Sequence, residues 1–269
     1  MATAKQTNAA EQTEVAVKQN ANVAVLNDMF AAEAGAGFEE ASAASYAIPF
    51  LQVLQSGSPQ CKKSDGAYIK GAEEGMLFNT VTKEVISGET GVLLIPCHYT
   101  HRFNEWKDRD AGGGYVGEHM PGEQPSTTKD EKGRDKLANG NNLVDTRNHY
   151  VLIVKDDGSY EPALLTLSST QLKKSRQWMS VMNGIKMRRG EELVTAPMMS
   201  RMYRLTTVPE SNDKGSWFGV KLELEGIVQD PALFKAAMGF RDAVKTGAAQ
   251  AKPENAPQTP SGHEGDEHF

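Results

Sequence analysis

Two stretches of the sequence combine aromatic and basic side chains, a combination that suits single-stranded nucleic acid. Cationic groups follow the phosphates, and flat rings stack on unpaired bases. The first stretch contains Tyr99, Arg102, Phe103, Trp106, Lys107, Arg109 and Tyr115. The second contains Lys173, Lys174, Arg176, Arg188, Arg189, Arg201, Tyr203 and Arg204. We expect one side of a groove to carry Tyr99, Arg102, Trp106, Lys107 and Arg109, with the second stretch supplying much of the remaining positive field.

Each of these aromatic residues has an alternative place in a hydrophobic core. Trp106 lies between Glu105 and Lys107 at the edge of a polar region, so it is the best candidate for stacking. Phe103 and Tyr203 fit either role equally. Trp178 lies on the apolar side of a predicted helix, which favours the core.

The charge distribution supports a polyanion as ligand. The chain has a net charge of −6, yet residues 170–206 carry eight Lys or Arg against two acids. Residues 1–45 carry two lysines against six acids, and residues 250–269 carry one lysine against four. Acidic ends around a basic segment indicate a polyanion-binding surface that the chain's own ends can shield. The alternative is a solvated face whose charges are neutralised elsewhere in the fold.

Three carboxylates, Glu105, Asp108 and Asp110, offer a different chemistry, since clustered carboxylates can hold Mg²⁺ for phosphodiester hydrolysis. Lys107 and Arg109 lie between them and can pair with them instead. No general base or second set of carboxylates accompanies them, so we expect no enzymatic activity and keep a metal-dependent nuclease as the alternative.

No cofactor or metal is predicted. Residues 112–117 match G-x-G-x-x-G, but no helix can begin after them, as a dinucleotide site requires. Cys97, His98 and His101 are close in sequence, but Cys97 and His98 should point to opposite faces of a strand. Two cysteines and no membrane-length apolar run lead us to expect a cytoplasmic protein with no membrane partner.

The predicted elements are mostly strands. The clearest is Gly91 to Tyr99, continuing to Trp106, and a hairpin is predicted for 149–154 and 160–167. A helix should run from about Thr170 to Asn183. Two further strands, 198–208 and 217–228, are separated by 209–215, and a helix begins at Asp230. Residues 107–142 should form a long loop. The short strands without βαβ alternation predict a β-rich (α+β) fold, a small and partly open barrel with long loops and one central helix.

Three regions follow from the composition: a disordered or weakly helical N-terminal arm (1–45), a nucleic-acid-binding domain (46–249) and a disordered acidic tail (250–269). The tail contains Pro253, Pro257 and Pro260 and ends Asp266-Glu267-His268-Phe269.

This organisation resembles the single-stranded DNA-binding proteins of bacteriophages and bacteria, and within them the phage replication type. The resemblance implies an oligonucleotide-binding (OB) barrel that coats single-stranded DNA without regard to sequence. It implies a role in phage DNA replication, recombination and repair, in the host cytoplasm. Asp266, Glu267 and Phe269 would dock replication partners such as polymerase or helicase-primase, and the tail would compete with DNA. Self-association is a further expectation. A phage structural or host-interaction protein with DNA-mimicking tails is the remaining alternative.

Overall fold

The computed structural model describes residues 25–213 and 215–251, with the side chains of Ala43 and Arg109 left out. The predicted docking residues Asp266, Glu267 and Phe269 lie outside the described residues. The chain divides into two compact units between Ser45 and Tyr46. In the first unit, residues 25–32 form helix α1 and Ala43–Ser45 form a single 3-10 turn. All other elements belong to the second unit.

Eight antiparallel strands of the second unit form one curled, open half-barrel sheet. A small sheet precedes it, made of β1 (Leu51–Val53), β2 (Leu77–Asn79) and β3 (Val85–Ile86). The strands of the large sheet are β4 (Val92–Trp106), β5 (Tyr115–His119), β6 (Thr128–Lys129), β7 (Asp135–Lys136), β8 (Asn142–Val154), β9 (Tyr160–Ser168), β12 (Arg201–Asn212) and β13 (Gly215–Ile227). Their order is β13-β12-β4-β8-β7-β6, with β5 beside β4 and β9 beside β8. A separate hairpin pairs β10 (Lys186–Arg189) with β11 (Glu192–Thr195).

Two helices cover opposite faces of the large sheet. Helix α2 (Leu172–Gly184) buries Trp178 and Met182 in the same cluster as Leu94, and helix α3 (Pro231–Lys245) places Ala237 in the cluster that contains Ile95. Since Leu94 and Ile95 are neighbours on one strand, the two clusters lie on opposite faces. We call these the α2 face and the α3 face.

The predicted fold class is confirmed: the protein is β-rich, with a curled, partly open barrel-like sheet. The predicted central helix is α2, which follows β9 in the chain. The strand that runs to Trp106 is β4, and the predicted hairpin is β8–β9. The helix at Asp230 begins as expected, because the Asp230 carboxylate accepts a hydrogen bond of 2.7 Å from the Ala232 N–H. Among the described residues, no helix is both long and apolar enough to cross a membrane.

Three details of the sequence interpretation are wrong. Pro209 does not end its strand, since β12 continues to Asn212. The N–H of Thr207 points away from β13, to the carbonyl of Gly88. Pro209 has the same orientation as Thr207, so the N–H that proline lacks is not needed for pairing with β13. Residues 107–142 are not one loop, since they contain β5, β6 and β7. Cys97 and His98 do not point to opposite faces, because a bulge at this position turns both toward the α3 face.

Candidate nucleic-acid interface

The second half of β4, from His98 to Trp106, extends beyond the doubly covered core and pairs residue by residue with β8. Side chains alternate along a strand, so Tyr99 and Phe103 lie on the α2 face, while Arg102 and Trp106 lie on the α3 face. The expectation that the first stretch lines one side of a groove is therefore wrong. The strand offers two different surfaces instead.

On the α2 face, three rings follow one another at every second residue of β4: Tyr99, His101 and Phe103, here called the aromatic ladder. All three side chains are partly exposed, and the ring centroids of His101 and Phe103 are 4.9 Å apart. The Tyr99 ring lies 5.1 Å from the buried ring of His149, which in turn lies 4.7 Å from Trp178. The first ring of the ladder, that of Tyr99, therefore packs against the core, and this packing fixes its position.

Arg147 of β8 lies beside the ladder and orients it. Its guanidinium donates to the Tyr99 hydroxyl at 3.1 Å and to both oxygens of Asp145 at 2.8 and 2.9 Å. His101 meets the same carboxylate: its Nε2 is 2.9 Å from Oδ1 of Asp145, the oxygen to which the Arg147 Nε also donates. Burial lowers the pKa of His101, against the opposing effect of Asp145. Sequence reasoning considered His101 only as a metal ligand and missed Arg147, although the alternation Tyr-Thr-His-Arg-Phe was a readable signal for His101.

On the α3 face, Trp106 contacts Tyr115 of β5 edge to face, with ring centroids 5.4 Å apart. Burial raises the pKa of Tyr115 to about 12. The guanidinium of Arg102 donates a hydrogen bond to the carboxylate of Glu118 at 3.1 Å, so the positive charge of Arg102 is neutralised. The structure thus brings Trp106, Tyr115 and Arg102 together, but separates them from Tyr99 and Phe103 by the thickness of the sheet.

The three carboxylates proposed for a metal do not converge. Glu105 is buried and accepts hydrogen bonds from Asn139 at 3.0 Å and Asn141 at 2.5 Å, with His119 Nε2 at 3.0 Å. The bond from Asn141 contributes most to holding the pKa of Glu105 below its usual value. Asp108 is instead paired with Lys136, which lowers its pKa to about 2, and Asp110 is exposed. In the described part of the chain, no group of three or more His, Cys, Asp or Glu could hold a metal ion.

Most cations of the second stretch already have partners. Acidic side chains pair with three of them: Lys174 with Glu210 at 2.6 Å, Arg189 with Glu192 at 2.9 Å, and Arg204 with Glu225 at 3.4 Å. Arg201 donates to Ser200, Lys173 is exposed on α2, and the side chain of Arg109 is not described.

Among the described residues, three exposed cationic side chains have no hydrogen bond or ion pair: those of Lys107, Arg176 and Arg188. At these three positions an added phosphate would not first have to displace an internal carboxylate.

Tyr203 lies in the core and not on the surface, since only 1% of it is exposed. Its ring meets Trp178 edge to face at 5.5 Å, and both belong to the cluster beneath α2.

The β10–β11 hairpin, by contrast, exposes large side chains to solvent. Leu193 is 69% exposed there, and Arg188 lies directly across from it on the same face.

One protein-family model matches residues 17–250 of the chain, and its description is Pam3 phage gp34-like protein. The match spans most of the 269 residues, so the chain is a β-rich phage protein. It belongs to the Pam3 phage gp34-like family. No curated protein and no solved structure matches it.

Proposed function

We propose that the chain is a sequence-independent single-stranded DNA-binding protein of phage DNA replication, recombination and repair, acting in the host cytoplasm without catalytic activity of its own. The observation that carries the proposal is the aromatic ladder of Tyr99, His101 and Phe103, partly exposed on one face of one strand.

The exposed faces of the ladder suit unpaired bases. The ring centroids of His101 and Phe103 are 4.9 Å apart, which leaves no room for a base between them, so a base would stack on the outward face of a ladder ring. Residues two apart on a strand are separated by about 6.6 Å, so a single strand laid along β4 meets a ring at regular intervals. A duplex cannot use the ladder in this way, because its bases are already stacked.

The charges near the ladder support backbone contacts that ignore sequence. Arg147 stands beside Tyr99 with its guanidinium shared between a phenol and a carboxylate. Lys107 follows the ladder along the chain, and Arg176 and Arg188 add cations free of internal ion pairs among the described residues. Phosphates satisfy such groups without reading any base.

The acidic C-terminal residues complete the proposal. Asp266, Glu267 and Phe269 would dock a polymerase or a helicase-primase, with the terminal ring in an apolar pocket of the partner. The same acids would compete with DNA for the cations of the domain, since carboxylates and phosphates seek the same partners.

The test compares a labelled thirty-nucleotide oligo(dT) with a duplex of equal length at two salt concentrations. The ladder variant replaces Tyr99 and Phe103 by Leu, which keeps apolar volume and removes the flat rings. The matched control replaces Trp106 and Tyr115 by Leu on the α3 face. Stacking contributes about 1–3 kcal/mol per base, so the ladder variant should bind at least tenfold more weakly, and the control less than about threefold.

Equal binding by the ladder variant and the wild type, both folded by circular dichroism, would refute the interface. Preference for the duplex would refute the function. A parallel incubation of the labelled strand with Mg²⁺ tests the absence of catalysis: the strand should stay at full length, and shortening that the wild type alone produces would revive the nuclease.

A further inference from the structure

The β10–β11 hairpin is a two-stranded ribbon with a fixed base and an open tip. Within residues 186–195 every residue is exposed except Val194, which is partly exposed. At the base, the N–H of Ile185 donates to the carbonyl of Met182, and the N–H of Ala196 donates to the carbonyl of Ile185. Met182 and Ala196 are both buried. The core therefore holds the hairpin in position while its two strands remain open to solvent.

The strand register divides the side chains of the hairpin between two different faces. One face, here called the leucine face, carries four of them: Lys186, Arg188, Leu193 and Thr195. Both acids of the hairpin lie elsewhere, because Glu192 pairs with Arg189 on the other face and Glu191 is in the turn. Within the hairpin, the leucine face thus has two cations and no acid.

The two cations of the leucine face keep their positive charge. Lys186 donates only to neutral oxygens among the described residues, the carbonyl of Asn183 at 2.9 Å and the hydroxyl of Thr195 at 2.7 Å. The side chain of Arg188 has no hydrogen bond or ion pair with a described residue. Arg188 lies directly opposite Leu193, which is 69% exposed. An apolar side chain next to two uncompensated cations is therefore presented to solvent.

This combination matches the end of a nucleic-acid duplex. The last base pair of a duplex presents a flat apolar face, and phosphates border that face on both strands. Leucine is one of the side chains that proteins insert against base steps. At a duplex end the base-pair face is already open, so contact with it does not require two pairs to be unstacked first.

Helix α2 connects the hairpin to the aromatic ladder. The hydroxyl of Ser175 lies 2.8 Å from Nε2 of His149, whose ring is 5.1 Å from that of Tyr99. From Ser175 the helix continues to Gly184, about 14 Å further at about 1.5 Å per residue. A strand of about four stacked nucleotides, at about 3.4 Å each, covers that distance. One single strand is thus long enough to contact both the ladder and the hairpin.

We propose that the leucine face of the hairpin binds the junction between a single strand and a duplex. The inference rests on the proposed function and adds to it a preferred position on DNA. Leu193 packs against the last base pair, and Arg188 and Lys186 contact phosphates of the strand that continues to the ladder.

Binding of the full-length chain to four labelled probes tests the junction. The probes are the thirty-nucleotide oligo(dT), the same oligo(dT) joined to a duplex by its 5′ end or by its 3′ end, and that duplex without a tail. The wild type should bind one tailed probe at least about fivefold more tightly than oligo(dT), a change that burial of part of one leucine side chain supplies. A fluorescent base analogue in the last base pair should change its emission when the wild type binds.

The variant Leu193→Ser removes the apolar contact from an exposed position. It should lower the ratio of the two affinities to about one and leave the affinity for oligo(dT) within about twofold of the wild type. Leu193→Met keeps an apolar side chain of similar size and should retain the ratio. The matched control is Leu224→Ser, which removes another exposed leucine, on β13, and should also retain it.

A wild type that binds oligo(dT) but neither tailed probe more tightly would overturn this inference and leave the proposed function standing. So would a Leu193→Ser variant that keeps the wild-type ratio. An equal loss on every probe in that variant would assign Leu193 to general strand binding and would likewise overturn the junction. A wild type that does not bind oligo(dT) would instead refute the proposed function together with this inference.

Discussion

Acidification should destabilise the fold through one buried imidazole, that of His149. Its ring is 1% exposed and lies between the rings of Tyr99 and Trp178, with Nε2 2.8 Å from the hydroxyl of Ser175. Burial, with a smaller contribution from the positive charge of Arg147, lowers its pKa to about 3. In the unfolded chain a histidine titrates near pH 6.5.

The sign follows from proton linkage. As the pH falls below about 6.5, the unfolded state binds a proton that the folded state does not bind until about pH 3. His149 therefore stabilises the fold fully above pH 6.5 and loses this contribution as the pH falls toward 3. At pH 5 the loss covers about 1.5 pH units at about 1.36 kcal/mol each, which is about 2 kcal/mol.

Urea unfolding at pH 7.5 and pH 5 measures this loss. The variant His149→Asn cannot titrate, so its free energy of unfolding should fall between the two pH values by about 2 kcal/mol less than that of the wild type. His98→Asn is the matched control, because His98 lies on the α3 face and the variant keeps the His149 contribution. The same loss between the two pH values in the wild type and in His149→Asn would refute the reasoning.

Three further predictions concern the surface, a buried network and the backbone. Arg188→Ala should reduce the slope of log affinity for oligo(dT) against log salt by about 0.7, and Arg189→Ala by less, because Glu192 already neutralises Arg189; equal slopes in all three proteins would contradict this. Glu105→Ala should cost about 1–2 kcal/mol in urea unfolding, since the partly or fully exposed side chains of Asn139, Asn141 and His119 lose the buried carboxylate that they share; an unchanged free energy of unfolding would contradict this. Gly91→Ala should cost more than about 2 kcal/mol in the same assay, because its φ of 65° disfavours a side chain and the new methyl would collide with the Leu205 carbonyl; near-wild-type stability would contradict this.

Elements with local signals were predictable from the sequence. The β8–β9 hairpin is marked by the turn residues of 156–159 between two apolar runs, and β4 by its long apolar start. The start of α3 follows from Asp230 and Pro231, a cap and a first-turn proline. In each case, the residues that decide the structure lie within a few positions of each other.

The candidate site was less predictable, because its arrangement depends on register and on distant partners. Tyr99 and Trp106 lie on opposite faces because β4 pairs with β8, about forty residues away, in an unbroken register over this stretch. Glu105 resembled a metal ligand because nothing in the sequence shows that the side-chain amides of Asn139 and Asn141, more than thirty residues away, donate hydrogen bonds to it. The β10–β11 hairpin was missed because its first strand is mostly basic, although Gly190, with a φ of 64°, occupies the first central position of a two-residue turn.

The two halves of β4 should differ in how readily they open. From Leu94 to Cys97 every residue is buried beneath a helix on one face or the other, whereas from His98 onward nearly all are partly exposed. Amide hydrogens of the first half should exchange with solvent only when the whole domain unfolds, and those of the second half through local fluctuations. One continuous strand thus joins a stable first half to a second half that opens more readily. A ligand that binds the second half would slow the exchange of its amide hydrogens, so amide protection along β4 would report ligand binding residue by residue.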